Sequence, residues 1–322
     1  MALGLAALAL HRYANMPAAP HAQVRIFNVE RGESFVAAAK RLEQEGIIEK
    51  ADWFSLLARL KKMDSAIRAG EYALSASMSP NRVLEVLVEG KTLLHRLTVV
   101  EGATLAQIAK VVEAGSWADA GEFMQAAASS QLLALVGAEA KTLEGYLFPD
   151  TYFFPRTQGA QGIALAMTRR FLAVFDASFR ERAADLGMSV HEVVTLASII
   201  EKEAGGPQEY KVISSVFHNR LKRGMRLQAD PTVIYGLQSF DGRLRRTHLE
   251  THTPYNTYMI SGLPPGPICS PGLGALDAAL YPDETEYIFF VSKNDGSHHF
   301  SKTLAEHNQA VNLYQRSGQS SP

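Results

Sequence analysis

Only one cysteine, Cys269, occurs in the sequence, so no intramolecular disulfide framework holds this chain together. Stability has to come from burial, and 322 residues at 47% hydrophobic content are enough for two packed cores. A chain of this size without disulfides is equally suited to the inside or the outside of a cell. Charge of one sign is missing as well: 32 basic against 33 acidic residues give a net charge of −1. That balance excludes the broad basic field of a nucleic-acid binder. No Gly-rich phosphate loop occurs, because GLPPGP at 262–267 has too many prolines to offer the backbone donors such a site needs. Cys269 lies in that Pro-rich region with no histidine partner, which argues against a thiol nucleophile. His298, His299 and His307 lack metal-ligand spacing and carboxylate companions, so neither a metal nor a cofactor is expected.

Long apolar runs are absent too. The opening MALGLAALAL is apolar for ten residues, well short of the roughly 20 that a spanning helix needs. No basic region precedes it, as a secretory signal requires. Two readings stand: the back half of a membrane anchor, or an N-terminal helix packed on the body. Residues 1–20, ending in the Pro17–Pro20 stretch, are read as truncated anchor and linker.

What is present reads as alternating helix and strand, an α+β chain. Val24, Ile26 and Asn28 alternate with Arg25, Phe27 and Val29 as in a half-buried strand. Gly32 makes a turn, and Ser34 is placed to cap a helix through Leu42. The stretch GIIEKADWFSLLARLKK predicts a second helix over 46–62, and AGEYALSAS a strand over 69–77. Ser79-Pro80 opens a short helix that stops at Gly90. VERGESFVAAAKRLE at 29–43 is echoed by VVEGATLAQIAKVVE at 99–113, which suggests either a duplication or two similar strand–turn–helix units. From Thr142 onward, loops rich in Pro, Gly, Tyr and Asn alternate with helices, and such loops suit a lined cleft as well as plain turns. EYIFFVS near the end is a buried strand, and AEHNQAVNLYQR closes the chain as a helix.

The stretch LASIIEKEAGG, 196–206, carries the sharpest chemical signal. Ser189 and Glu192 form a capping-box pattern, with Met188 and Val193 placed as a staple. At about 100° per residue, Val190, Val193, Val194, Leu196, Ala197, Ile199 and Ile200 form a broad apolar arc. His191, Thr195, Ser198 and Lys202 fall opposite, and Glu201 and Glu203 fall within the margins of the arc. A carboxyl against apolar walls resists ionisation and can hold a proton near neutral pH. Alternatively, a last helical turn lets its glutamates reach water. Periodicity does not choose between Glu201 and Glu203.

Five stretches together resemble the YceG-like endolytic murein transglycosylase family: LEGYLFPDTY, ASIIEKEA, VFHNRLKRGMRLQADPTVIYGL, YNTYMISGLPPGPICSPG and HHFSKTLAEHN. The resemblance implies a small LysM-like unit over 21–95. It implies a larger mixed α/β catalytic domain with a lysozyme-like catalytic helix over 96–322. It also implies a single-pass anchor in the inner (cytoplasmic) membrane, with the catalytic domain facing the periplasm and cell wall. Peptidoglycan glycan strands would be the substrate, with peptidoglycan synthases nearby. The family's catalytic glutamate corresponds to the first carboxylate of EKE, Glu201. It would protonate the oxygen leaving C1 of N-acetylmuramic acid. It would then take the proton of that sugar's 6-hydroxyl as the 1,6-anhydro ring closes, terminating strand growth.

Asn219, Gln228, Asp230 and Thr232 are candidates to orient the acid or bind acetamido groups, although Asp230 before Pro231 is also a natural helix N-cap. Glu203 joins them as a candidate, and Tyr255, Asn256 and Tyr258 are expected to line a groove or pack. Glu144 and Tyr146 lie in a matching motif without a task, and Pro264–Pro267 is expected to fix loop shape. Two rivals are a hydrolytic muramidase with Asp230 or Glu203 as second carboxylate, and a non-catalytic wall-binding protein.

Overall fold

The computed structural model describes residues 2–137 and 140–316, so Met1 and the last six residues of the expected catalytic domain lie outside the described residues. The chain divides into two compact units, one of residues 1–97 with 152–159, the other of 98–151 with 160–322.

In the first unit, α1 (Ala2–Asn15) precedes β1 (Arg25–Val29), α2 (Phe35–Gln44), α3 (Ala51–Leu60), β2 (Gly70–Leu74), α4 (Pro80–Glu89) and β3 (His95–Thr98), the last reaching the division between units. β1 and β2 pair antiparallel, with Arg25 opposite Leu74 and Val29 opposite Gly70. This register turns Phe27, Val29, Tyr72 and Leu74 into the core and leaves Ile26 facing water. Phe35 and Phe54 stack at 5.3 Å between ring centres, tying α2 to α3. Ser34 and Ser79 accept the backbone N–H bonds that start α2 and α4. The predicted helix over 46–62 begins only at Ala51. Gly46 takes φ +70°, and the amides of Ile47 and Ile48 both bond back to the Leu42 carbonyl. Those two isoleucines plug the core as a turn. Along α1, Leu10, Tyr13 and Ala14 lie against this core, while Leu5 and Leu8 are exposed. Among the described residues, no single helix is long and apolar enough to cross a membrane.

The second unit is mostly helical. It holds α5 (Leu105–Ala114), α6 (Ala120–Ala126), α7 (Ser130–Val136), the Thr151 edge of β4 (Thr151–Phe154), α8 (Gly159–Val174), α9 (Ala177–Asp185) and α10 (Val190–Glu203). After these come α11 (Tyr210–Lys222), α12 (Asp230–Gly236), α13 (Arg246–Glu250), α14 (Leu273–Leu280), the antiparallel pair β5 (Phe289–Ser292) and β6 (His298–Ser301), and α15 (Leu304–Val311). The two echoing stretches are both built as glycine turn and capped helix: Gly32 at φ +80° with Ser34, and Gly102 at φ +73° with Thr104. The closing helix is shorter than the expected 305–316, since a π-type turn takes over from Asn312.

α10 is the axis of this unit and packs on α11 and α14. Every residue from Val193 to Ile200 is buried, including Thr195 and Ser198, which the helical pattern places on a polar face. The loop before α14 covers that face. Ser198 Oγ–H donates to the Thr195 carbonyl at 2.7 Å and accepts the Ile268 amide at 3.0 Å. The Cys269 thiol reaches the Ser198 carbonyl at 3.3 Å. The Ser198 hydroxyl is thus satisfied inside the core, whereas the buried Thr195 Oγ1 meets no hydrogen-bond partner among the described residues.

Candidate active site

α10 starts as its sequence demands. Ser189 accepts the Glu192 amide at 3.2 Å, and Glu192 returns to the Ser189 amide at 2.8 Å. It ends at Glu203, where Ala204 turns extended. Gly205 then passes so close to Gly296 that a Cβ on it would lie 1.9 Å from the Gly296 carbonyl oxygen. Two half-buried glutamates leave this last turn in different directions, as residues two apart on a helix must.

Glu201 is held on both oxygens. Tyr210 Oη–H donates to Oε1 at 2.7 Å and the Gly272 amide to Oε2 at 2.9 Å. Burial and the Glu201 carboxylate together push the Tyr210 phenol well above its ordinary range. Lys202 reaches the Gly102 carbonyl at 3.3 Å. On this side the helix end is fastened to the loops at 102 and 272.

Glu203 opens on the other side into a polar cavity of about 320 Å³. Its walls come from α11 (Arg220), the segment entering α12 (Gln228, Asp230), Tyr258, β6 (His298) and α15 (His307). Burial of its carboxyl, then the nearby Asp230 carboxylate, push Glu203 up to about 8, against the pull of the Arg220 guanidinium and the Asp230 amide. Glu203 is thereby biased toward its protonated form, with the Asp230 carboxyl beside it. Asp230 is itself fixed by Tyr258 Oη–H at 2.7 Å. Arg220 is buried and donates to the carbonyls of Ile288 (2.7 Å) and Leu227 (2.6 Å), so its charge is stationary. Gln228 takes φ +49°, a backbone state that non-glycine residues adopt at a cost.

Of the residues singled out by sequence, Glu203, Gln228, Asp230 and Tyr258 therefore meet at one cavity, while Glu201 adjoins the 102 and 272 loops. The others brace the scaffold. Asn219 donates to the carbonyls of Thr285 and Tyr287. Thr232 is buried and bonds the Ala229 carbonyl and Thr257. The Asn256 side chain ties the carbonyls of His248, Leu249 and Thr251 to the Tyr258 amide. Tyr255 packs on Tyr235 at 4.8 Å. The expected N-cap at Asp230 is displaced by one residue. Ala229 is the cap and Asp230 the first helical residue, because its carboxylate is taken by Tyr258.

Glu144 and Tyr146 acquire tasks. Buried Glu144 accepts the Leu105 amide that opens α5 at 2.9 Å and Tyr235 Oη–H at 3.0 Å, and burial raises it to about 7. Tyr146 Oη–H donates to His191 Nδ1 at 2.7 Å, while His191 Nε2 faces the Pro265 carbonyl at 2.8 Å, which seats the proline loop. Arg220 and Glu209 carry no signal of their own in the sequence. Arg220 stands beside Asn219 in the quoted HNR, and His298 was weighed only as a metal ligand.

The fold is that of a mixed helix-and-strand protein, with two glutamates at the end of a buried helix. The YceG-like family model matches residues 27–313, and the chain belongs to that family. An endolytic murein transglycosylase of Bacillus subtilis is 34% identical over 304 residues, which span 89% of this chain and 84% of that protein. A Streptococcus pneumoniae protein of the same description is 28% identical over 322 residues, 88% of this chain and 57% of its own. A 2.6 Å crystal structure of a YceG-like protein from Listeria monocytogenes superposes with a TM-score of 0.62 at 34% identity, over 90% of this chain and 99% of that one.

Proposed function

We propose that this protein is an endolytic lytic transglycosylase of peptidoglycan, and that Glu203 is its acid and then its base. The observation that carries the reading is the Glu203 carboxyl set in a polar cavity with Asp230, Tyr258 and Arg220, where burial raises it to about 8. The relatives' described activity supplies the substrate class. Protonated Glu203 gives its hydrogen to the glycosidic oxygen as the bond to C1 of N-acetylmuramic acid breaks. The resulting carboxylate takes the hydrogen of the same sugar's 6-hydroxyl as that oxygen bonds to C1. The products are a 1,6-anhydro end and a free 4-hydroxyl on the N-acetylglucosamine. No water is consumed, and Glu203 regains its proton. Because the nucleophile belongs to the substrate, one carboxyl suffices, and holding the hydroxyl in place is worth on the order of 7–11 kcal/mol at best.

The resemblance points to the first glutamate of EKE. The geometry favours the second, because Glu201 has both oxygens engaged by Tyr210 and Gly272. Glu201 then acts as the clasp that sets the loop at 272. In the same reading the first unit is LysM-like and grips glycan. A membrane anchor at the N-terminal side keeps the second unit facing the wall near the synthases. A second reading, hydrolysis with Asp230 as base for water, draws on the presence of Asp230 beside Glu203. Purified glycan strands digested by wild type, Glu203→Gln and Glu201→Gln test the assignment. Glu203→Gln loses cleavage and Glu201→Gln keeps a measurable fraction; the reverse order returns the role to Glu201.

A further inference from the structure

On the wall of the Glu203 cavity stands the half-buried His298, paired with a buried carboxylate, Glu209, that the proposed reaction does not use. Glu209 is 7% exposed and accepts twice from one residue: the His298 amide reaches Oε1 at 2.8 Å, and His298 Nδ1 reaches Oε2 at 2.7 Å. The Gly205 amide, two residues beyond Glu203, donates to the same carboxylate. One side chain thus joins the turn that carries Glu203 to the strand that carries His298. Burial works against its charge, but the bonds from His298 and Gly205 outweigh it and hold the Glu209 carboxyl below its ordinary range.

An ionised carboxylate only accepts hydrogen bonds, so the hydrogen of a neutral His298 ring sits on Nδ1. Nε2 is left as a lone-pair acceptor. His298 lines the cavity, and no described residue hydrogen-bonds to its Nε2. Phe290 packs edge-on against the ring at 5.4 Å and limits its tilt. In the neutral ring, tautomer, orientation and position are all fixed, for an acceptor that no described residue uses.

We propose that His298, held by Glu209, is a positioning residue that accepts a hydrogen bond through Nε2 from a hydroxyl of the bound glycan; this rests on the reading of the Glu203 cavity as the cleavage site. His298 is then a second fixed point on the wall of the same cavity as the acid. Holding a reacting sugar at two points restricts its rotation relative to the carboxyl, which is where positioning gains rate.

Two substitutions separate this role from a structural strap. In His298→Asn the Nδ2 amide stands where Nδ1 stood and keeps the bond to Glu209, but nothing remains at the Nε2 position. In Glu209→Gln the amide oxygen can take the His298 backbone N–H, leaving the NH₂ to face Nδ1. The ring then has to move its hydrogen to Nε2, turning the acceptor into a donor. Initial rates on purified glycan strands, melting temperature, and ¹⁵N NMR of the imidazole are measured on the full chain. The expected result is a loss in kcat/KM of tenfold or more for each variant, with His298→Asn melting within a few degrees of wild type. The NMR signature changes from the Nδ1–H to the Nε2–H form in Glu209→Gln. The double variant is no worse than the poorer single, as for residues acting as a unit. If Glu209→Gln does not fold, His298→Asn carries the test alone. Activity of His298→Asn within twofold of wild type, while Glu203→Gln is inactive, overturns this inference and leaves the cleavage site standing. Full activity of Glu203→Gln overturns the site itself.

Discussion

If Glu203 carries the proton, its ionisation should appear in both the rate and the stability of this protein. With its carboxyl raised to about 8, roughly nine tenths of the molecules hold the acid form at pH 7. An ordinary glutamate at about 4.5 would hold it in about 0.3%, so the site gains on the order of 300-fold in competent acid. The rate constant kcat/KM on glycan strands should therefore be level from about pH 6 to 7.5. It should fall about tenfold per pH unit above about 8. Stability moves the same way. The unfolded chain releases this proton near 4.5 and the folded chain keeps it to about 8, so the folded state binds more protons between those values. The contribution is fully present below about 4.5 and is lost as pH rises to about 8, with a slope of at most about 1.4 kcal/mol per pH unit. Glu203→Gln removes this term and should melt higher than wild type at pH 8.5, while losing about 10³-fold or more in cleavage. The assay is a pH series of initial rates and of thermal melts for both proteins. A rate midpoint near pH 5, or a melting difference independent of pH, would refute the placement of the proton on Glu203.

Other expectations follow from single contacts. Glu144→Ala leaves the Leu105 amide and the Tyr235 hydroxyl without their buried acceptor, and should cost about 2–4 kcal/mol in denaturant titrations. The position of its pH–rate midpoint should stay unchanged. Gly205→Ala drives a methyl into the Gly296 carbonyl, a backbone atom that cannot swing aside. It should destabilise by at least about 1–3 kcal/mol and lower kcat through displacement of Glu203. Gly32→Ala, an open position whose only obstacle is φ +80°, should cost less, about 1 kcal/mol by thermal melting.

Local chemistry was legible in the sequence, and juxtaposition was not. The caps at Ser34, Ser79 and Ser189, the strands β1 and β2, and both glutamates on the α10 margin follow from residue type and spacing. Helical period places Thr195 and Ser198 outside, and the structure buries them, because the loop at 268–272 covers that face. The same limitation left Glu201 and Glu203 equivalent. Only α11, the start of α12 and β6, brought from distant parts of the chain, give Glu203 a cavity, while Tyr210 and Gly272 occupy Glu201. Asp230 shows a local rule giving way to a tertiary one. Its aspartate–proline pattern opens a helix, but the carboxylate goes to Tyr258 and the cap passes to Ala229.

The central claim is that the sugar's own hydroxyl displaces the glycosidic oxygen while Glu203 moves one hydrogen twice. Cleavage of purified glycan strands in ¹⁸O-labelled water, with mass spectrometry of the new ends, tests it most directly. The account predicts 1,6-anhydro ends, one water lighter than reducing ends, with no label incorporated and with none formed by Glu203→Gln. Labelled reducing ends, or anhydro ends still produced by Glu203→Gln, would contradict it.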